Sequence, residues 1–213
     1  MHRFAEYLTT RLREPLPGFE AQSRMAPRFP NGRLRSFEAP PTAKKSAVLA
    51  LLHIHNETLS LFFTLRSAGL TNHKGQISFP GGRMDGGEST VQTALRETRE
   101  ETGIAESGIA ILGSLSQLYT PPSNSAIHPV VGWMPELPDL QINPDEVDEC
   151  FSVGLDALHS PANISEEEWN YNGTPMTVPL WRVHPAVPLW GATAIIVGEL
   201  TYLYGEWLGV GGA

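Results

Sequence analysis

The stretch that decides the fold is GRMDGGESTVQTALRETREETGI, residues 82–104. Ser89 with Gln92 three residues later predicts a helix N-terminus of the capping-box type. Gly103 lies where a left-handed residue commonly ends a helix. Residues suited to a core recur between the two ends at helical spacing, namely Val91, Ala94, Leu95 and Thr98. The pattern predicts a helix between Ser89 and Gly103 with one buried face.

Three carboxylates share another face of this helix, those of Glu97, Glu100 and Glu101. At about 100° per residue they fall within an arc of roughly 100°. Like charges at i,i+4 spacing destabilise a helix by about 0.2–0.5 kcal/mol per pair. A divalent cation against this face would reverse that effect, and oxygen ligands suit Mg²⁺ or Mn²⁺. Taken alone, such a face is more often simply solvated.

The segment before the helix is rich in glycine. Glycine lets the backbone approach a ligand closely, and four glycines occur here: Gly81, Gly82, Gly86 and Gly87. Glu88 ends the loop, where a carboxylate is favourable beside a helix N-terminus. Arg96 precedes Glu100 by four residues, so the two could equally pair as ordinary surface charges. Together these neighbours favour a metal site over a solvated face.

The combined pattern resembles the Nudix box at every defining position. Its matching residues are Gly82, Glu88, Arg96, Glu97, Glu100, Glu101, Gly103 and Ile104. The resemblance implies a Nudix hydrolase, an enzyme that cleaves diphosphate bonds with divalent ions. It also implies an α+β fold in which a mixed β-sheet lies between helices.

The Nudix resemblance assigns a role to each residue of the box. The ligands of the divalent ions would be Glu97, Glu100, Glu101 and the carbonyl of Gly81. Glu97 would also deprotonate the attacking water, and Arg96 would orient Glu97. With Glu101, these two residues would form the catalytic group. Glu88 would support the loop or a neighbouring ion.

Upstream residues resemble the additional signature of coenzyme A pyrophosphatases. The matching residues are Phe63–Ser67, Leu70, His73, Gly75 and Phe79–Gly82, with further similarity at His128–Gly132, Asn143–Val147 and Trp190–Ala194. Those enzymes split CoA or acyl-CoA into adenosine 3′,5′-bisphosphate and 4′-phosphopantetheine or its acyl derivative. Thr71 departs from the signature, which has an arginine there. Because a basic side chain could hold a phosphate, this departure weakens the CoA interpretation.

The CoA resemblance implies substrate contacts at Arg66, His73 and Gly82. Glu146 could be a further metal ligand or base, although a surface carboxylate is the preferred interpretation. Another nucleoside diphosphate derivative, such as ADP-ribose or a dinucleoside polyphosphate, is the alternative substrate. A non-catalytic nucleotide-binding module is disfavoured because the box glutamates are all present.

The rest of the chain predicts further strands and one more helix. Strands are expected at Ser46–Ile54, Thr58–Leu65, Ala110–Leu118, His128–Met134 and Thr177–Val183. Asn56-Glu57 and Asn172-Gly173 predict tight turns, and Trp190–Tyr204 predicts an apolar helix. Trp181 and Trp190 are interpreted as core residues. Strands and helices do not alternate regularly, which favours a mixed sheet with helices on both faces.

Residues 1–43 are predicted as an N-terminal helix and a proline- and arginine-rich arm, and 44–213 as the Nudix domain. A helix is expected over 1–15, with Phe4, Tyr7, Leu8 and Leu12 near one face, followed by an extended connector over 16–43. Residues 1–40 hold seven arginines and four glutamates, whereas residues 41–213 hold eight Lys/Arg and nineteen Asp/Glu. The acidic body argues against nucleic-acid and membrane partners. The arm is interpreted as solvated surface, with a dimer or substrate contact left open.

Composition also limits the compartment. Cys150 is the only cysteine, which excludes an internal disulfide and fits a reducing environment. We interpret it as a small buried residue. No stretch approaches the roughly 18–20 apolar residues of a membrane span, and the opening lacks a signal-peptide pattern. We therefore expect a cytoplasmic protein that binds a small nucleotide-type substrate, with a homodimer left open.

Overall fold

A mixed β-sheet and several helices make up the residues described by this computed structural model, which are 1–34, 37–69, 75–171 and 173–210. The strands are β1 (Lys44–His55), β2 (Thr58–Arg66), β3 (Ile77–Ser78), β4 (Gly81–Arg83), β5 (Ala110–Ser114), β6 (Leu118–Thr120), β7 (Ser125–Trp133), β8 (Val147–Gly154), β9 (Ile164–Tyr171) and β10 (Thr174–Trp181). The α-helices are α1 (Arg3–Arg11), α2 (Phe19–Gln22), α3 (Thr90–Thr102), α4 (Leu155–His159) and α5 (Gly191–Leu208).

Strand β1 lies at the centre of the larger sheet. It pairs in parallel with β7 along nearly its whole length, while its other edge is shared by β2 and β4, both antiparallel. Asn56 and Glu57 form the β1–β2 turn with φ angles of 47° and 63°, as a two-residue hairpin turn requires. Because β1 and β2 pair only near this turn, β4 has room beside the first half of β1. This arrangement brings Gly81 and Gly82 to the centre of the sheet.

Alternate residues of β1 are buried on opposite faces of the sheet. Leu49 and Leu51 belong to the cluster beneath α3, whereas Ala50 and Leu52 belong to the larger cluster that includes α1 and α5 residues. All four side chains are 0% exposed. A strand covered on both faces has such a continuous apolar pattern. The predicted α+β fold, a mixed sheet between helices, is confirmed.

The N-terminal helix is part of the core. Phe4 and Leu8 are 0% exposed and pack in the cluster that contains α5. Arg11 forms an ion pair with Glu206 of α5, with 2.8 Å between Nε and Oε2. The interpretation of this segment as solvated surface is therefore wrong for α1, because its apolar face is needed to cover the sheet. The amphipathic helix itself is confirmed, although it ends at Arg11.

The predicted extended connector contains a short helix, α2, followed by a 3₁₀ turn at Ser23–Met25. The carboxylate of Glu199 on α5 is 0% exposed and holds this segment in place. It accepts hydrogen bonds from the backbone N–H of Gly18 at 3.2 Å and the amide of Gln22 at 3.0 Å. It also accepts from the backbone N–H and hydroxyl of Ser116. A single buried glutamate leaves no periodic pattern of apolar residues in the sequence, so the sequence did not predict this contact.

The other predicted strands occur near their predicted positions, but their bounds differ from the prediction. The strand expected over Ala110–Leu118 is two strands, β5 and β6, because Ser116 between them bonds to α5. Strands β8 and β9 were not predicted, since their charged residues obscure the alternation. Trp181 is a core residue at 1% exposure, whereas Trp190 is half-buried against Trp169. The predicted turn at Asn172-Gly173 lies partly outside the described residues.

Across the part of the chain that the structure describes, no helix has both the length and the apolar character needed to cross a bilayer.

Replacing Glu199 by alanine should destabilise the fold by about 3 kcal/mol or more. The change removes the acceptor of the Gly18 and Ser116 backbone N–H groups and of the Ser116 hydroxyl, and it leaves the Gln22 amide with the Ser116 carbonyl alone. Urea unfolding would measure the loss, with exposed Glu20→Ala as the control, expected within about 0.5 kcal/mol of the unmodified chain. Equal free energies of unfolding for the two variants would contradict the proposed anchoring role of Glu199.

Candidate active site

Helix α3 begins and ends where the sequence predicts. The Ser89 hydroxyl accepts from the N–H of Gln92 at 3.2 Å, and the Gln92 side chain accepts from the N–H of Ser89 at 2.8 Å. Gly103 ends the helix with a φ of 77°. A Cβ at Gly103 would lie 2.7 Å from the Cβ of Gln141, so glycine is required both for its conformation and for space. Both ends of α3 are thus fixed by local chemistry.

Arg96 holds acidic side chains both from the loop before α3 and from the second half of the helix. Its Nε lies 2.7 Å from Oε1 of Glu88, and its Nη1 lies 2.8 Å from Oε1 of Glu97 and 3.0 Å from Oε2 of Glu100. It also donates to the backbone carbonyl of Arg83. One guanidinium can do this because its donors form a planar fork. The structure therefore supports more than the simple Arg96–Glu100 surface pair, since Arg96 also fixes Glu97.

Glu88 is integrated into the loop that precedes α3. It accepts hydrogen bonds from the Thr93 hydroxyl at 2.7 Å and from the N–H of Asp85 at 3.1 Å. Its bonds to Arg96, followed by these two, lower the pKa of Glu88 to about 2. Glu88 therefore carries a charge that ties the loop to the helix. Sequence reasoning missed Thr93, whose position five residues after Glu88 has no motif to mark it.

Three carboxylates meet beneath the end of α3. One oxygen from each of Glu97, Glu101 and Glu146 lies within 4.8 Å of the others. Glu146 comes from the loop before β8, which docks on α3 through the N–H of Asn143 and the carbonyl of Glu101 at 3.0 Å. Because this docking uses backbone atoms, no side-chain pattern predicted it. Glu146 is half-buried in this group, whereas the sequence favoured a plain surface carboxylate; its role as a metal ligand or base stays a prediction.

Glu101 is the most deeply buried member of the group. Its side chain is 1% exposed, and burial raises the pKa of Glu101 to about 8, although the charge of Arg66 acts in the opposite direction. Burial also raises the pKa of Glu97, while Arg96 opposes that shift. Carboxyl groups whose pKa is raised in this way have too little positive charge nearby to stabilise their ionised form. A cation placed between the oxygens of the three carboxylates would therefore stabilise their ionised form.

The glycines of β4 make room for this arrangement. A Cβ at Gly82 would overlap the carboxylate of Glu97, and one at Gly81 would lie 2.6 Å from the Cα of Val48. The N–H of Gly81 also donates to Oε2 of Glu101 at 3.3 Å. Because neither glycine has a side chain, α3 can lie against the sheet with its carboxylates between the helix and β4.

The other predicted site residues occupy different surroundings. Glu100 is half exposed and bonds to Arg96; it lies outside the group of three carboxylates, and its role as a metal ligand stays a prediction. Arg66 lies 3.4 Å from Glu101. His73 lies outside the described residues, as does Thr71. Cys150 is half-buried, and burial with nearby Glu101 raises the pKa of its thiol to about 12.

The donor set fits a hard divalent cation. Three carboxylate oxygens converge, two from α3 and one from the loop before β8. Burial raises the pKa of both carboxyl groups on α3, and glycine backbone without side chains lies beside them. Oxygen ligands of this type suit Mg²⁺ or Mn²⁺. The side chains that would hold the ion are Glu97, Glu101 and Glu146.

Residues 43–173 match the sequence profile of the NUDIX domain. The chain belongs to the Nudix family. It is 37% identical over 155 residues to the human protein named mitochondrial coenzyme A diphosphatase NUDT8, covering 71% of this chain and 65% of that protein. Against Nudix hydrolase 3 of Caenorhabditis elegans, identity is 38% over 110 residues, covering 50% and 46%. The chain therefore spans less than two thirds of the length of either relative.

A bacterial relative is matched over more of its length. The NudL protein of Pectobacterium atrosepticum, described as an uncharacterized Nudix hydrolase, is 34% identical over 163 residues, covering 74% of this chain and 81% of that protein. The crystal structure of RenU, a Nudix hydrolase from M. smegmatis, gives a TM-score of 0.49 at 15% identity and covers 84% of this chain and 94% of that one.

Gly82→Ala should reduce the affinity for Mn²⁺ by about tenfold or more, because the new Cβ displaces the carboxylate of Glu97. Gly86→Ala is the matched control, since a Cβ there meets nothing within 4 Å. Isothermal titration calorimetry with MnCl₂ would compare the two variants. Equal affinities would show that the position of Glu97 does not depend on Gly82.

Thermal unfolding should reveal ion binding without any substrate. Mn²⁺ at about 100 times its dissociation constant should raise the melting temperature by roughly 5 °C or more. Glu101→Gln should abolish this rise because a carboxylate ligand is lost, and it should increase the melting temperature in EDTA because burial disfavours the ionised form of Glu101. Glu106→Gln, at a partly exposed residue beyond α3 that pairs with Arg99, should behave like the unmodified chain. A full Mn²⁺ response in Glu101→Gln would remove Glu101 from the ligand set.

Proposed function

We propose that the chain hydrolyses the diphosphate bond of CoA or an acyl-CoA in a reaction that depends on Mg²⁺ or Mn²⁺. The observation that carries the proposal is the convergence of Glu97, Glu101 and Glu146 beside the bare backbone of Gly81 and Gly82. The products would be adenosine 3′,5′-bisphosphate and 4′-phosphopantetheine or its acyl derivative. Membership of the Nudix family supports the reaction class.

The chain's own residues divide the work between holding ions and handling a proton. Glu97, Glu101 and Glu146 would hold the ion. Glu97, fixed by Arg96 at 2.8 Å, would also accept a proton from the attacking water. A divalent ion in the group would supply positive charge against the diphosphate oxygens and make that water more acidic. Glu88 keeps Arg96 in place, and Glu100 is retained as a further proposed ligand.

The preference for CoA rests on two kinds of similarity. The chain resembles the coenzyme A pyrophosphatase signature upstream of the box, and a relative at 37% identity is named a coenzyme A diphosphatase. Arg66 from that signature lies at the carboxylate group, where a substrate diphosphate would have to bind. Thr71, where the signature has arginine, favours the second candidate, hydrolysis of another nucleoside diphosphate derivative such as ADP-ribose.

Product analysis by chromatography tests the proposal directly. The purified chain is incubated with CoA, ADP-ribose and diadenosine polyphosphates, first with Mg²⁺ and then with Mn²⁺. We expect adenosine 3′,5′-bisphosphate from CoA at the highest kcat/KM. AMP from ADP-ribose with CoA untouched would overturn the CoA assignment while leaving the reaction class in place.

Glu97→Gln should lower kcat by about 10²-fold or more without loss of the fold, because glutamine cannot accept the proton. Glu106→Gln is the control and should retain normal turnover. Circular dichroism and thermal unfolding would establish that both variants are folded. Near-normal turnover by Glu97→Gln at saturating metal would refute its assignment as the base.

A further inference from the structure

Backbone hydrogen bonds fix Arg66 beside the three carboxylates of Glu97, Glu101 and Glu146. It is the last residue of β2, its N–H donates to the carbonyl of Gln76 at 3.0 Å, and its carbonyl accepts from Gly75 at 3.0 Å. The next residue, Ser67, donates to the carbonyl of Glu146 at 2.9 Å. The backbone of Arg66 is therefore fixed relative to a carboxylate of the proposed metal group, and its side chain alone is free to change position.

The side chain of Arg66 contacts Glu101 loosely. Its Nη1 lies 3.4 Å from Oε1 of Glu101, whereas Arg96 approaches Glu88 and Glu97 at 2.7 and 2.8 Å. Charge-assisted hydrogen bonds are usually about 2.7–2.9 Å long, so the first contact is weak and the others are strong. Among the described residues, this contact is the one hydrogen bond made by the Arg66 side chain. Within the part of the chain that the structure describes, most of its five N–H donors make no hydrogen bond.

Arg66 also lies at the boundary between the buried group and solvent. Its side chain is 23% exposed, against 1% for Glu101. The guanidinium contacts the most deeply buried carboxylate of the site, while part of the Arg66 side chain remains exposed to solvent. It can therefore reach an incoming anion without any movement of β2.

We propose that Arg66 is an exchangeable counter-cation that couples ion binding to substrate binding. This inference rests on the proposed function. Without a divalent ion, Arg66 pairs with Glu101 and partly neutralises it. With the ion bound, Arg66 leaves Glu101 and pairs with a phosphate group of the substrate, for which its planar fork of donors is suited.

The direction of this exchange follows from charge. A guanidinium beside Glu101 repels a divalent ion bound to the same carboxylate, and at distances of about 5 Å that repulsion is substantial even when partly screened. The two cations therefore compete for Glu101. An anionic substrate relieves the competition by giving Arg66 another partner. Ion and substrate should consequently strengthen each other's binding, as linkage requires.

Calorimetry and steady-state kinetics on Arg66→Gln and Arg66→Lys test the proposal. Arg66→Gln should bind Mn²⁺ about fivefold or more tightly without substrate, because the competing charge is gone. At saturating Mn²⁺, its KM for CoA should rise by about tenfold or more, with a smaller change in kcat. Arg66→Lys keeps the charge without the fork, so its Mn²⁺ affinity should stay within about twofold while KM rises partway.

Arg182→Gln is the matched control for net charge. Arg182 is 66% exposed and pairs with Glu167 of β9, so both the Mn²⁺ affinity and KM should stay unchanged. Mn²⁺ affinity in Arg66→Gln equal to or weaker than in Arg182→Gln would overturn the proposal, as would tighter Mn²⁺ binding with an unchanged KM. The Mn²⁺ titration needs no substrate, so failure of CoA hydrolysis in the unmodified chain would overturn the proposed function alone.

Discussion

Electrostatic repulsion among the glutamates of α3 is the constraint around which this structure is arranged. Arg96 relieves it at the start of the acidic face by contacting Glu88, Glu97 and Glu100 within 3.0 Å. The capping box and Gly103 then fix the two ends of the helix. With the helix so held, Glu101 points into the protein rather than into water, and its charge is left for something else to balance.

Stability and chemistry occupy opposite faces of the central sheet. The face beneath α3 carries buried carboxylates whose charges oppose folding. The other face carries the larger apolar cluster, α1, and the fully bonded Glu199 of α5. Substitutions that weaken ion binding should therefore fall on the α3 side of β1, whereas substitutions around Glu199 and α1 should chiefly affect folding.

The sequence was most informative where local chemistry decides the outcome. Helix α3, its caps and the β1–β2 turn depend on residues close together in the chain, and each was predicted at its observed place. Strand β8 was missed because its alternation is masked by charged residues. The position of Glu146 and the anchoring by Glu199 depend on contacts between distant segments. These contacts are made by backbone atoms or by single buried polar groups, which leave no periodic pattern in the sequence.

Among the strands that the structure describes, one pairing is parallel, and it has a consequence for the order in which the molecule assembles. Strands β1 and β7 are neighbours in space, yet the whole stretch 56–124 lies between them, including α3, Arg66 and the glycine loop. The β1–β2 hairpin can close early because its turn is local, whereas a long loop must close before β7 docks. Until then the acidic helix has no completed surface beneath it. Arg66, Arg96, Glu97 and Glu101 are thus carried on the crossover itself, and the candidate site is complete only when Glu146 joins them from the loop between β7 and β8.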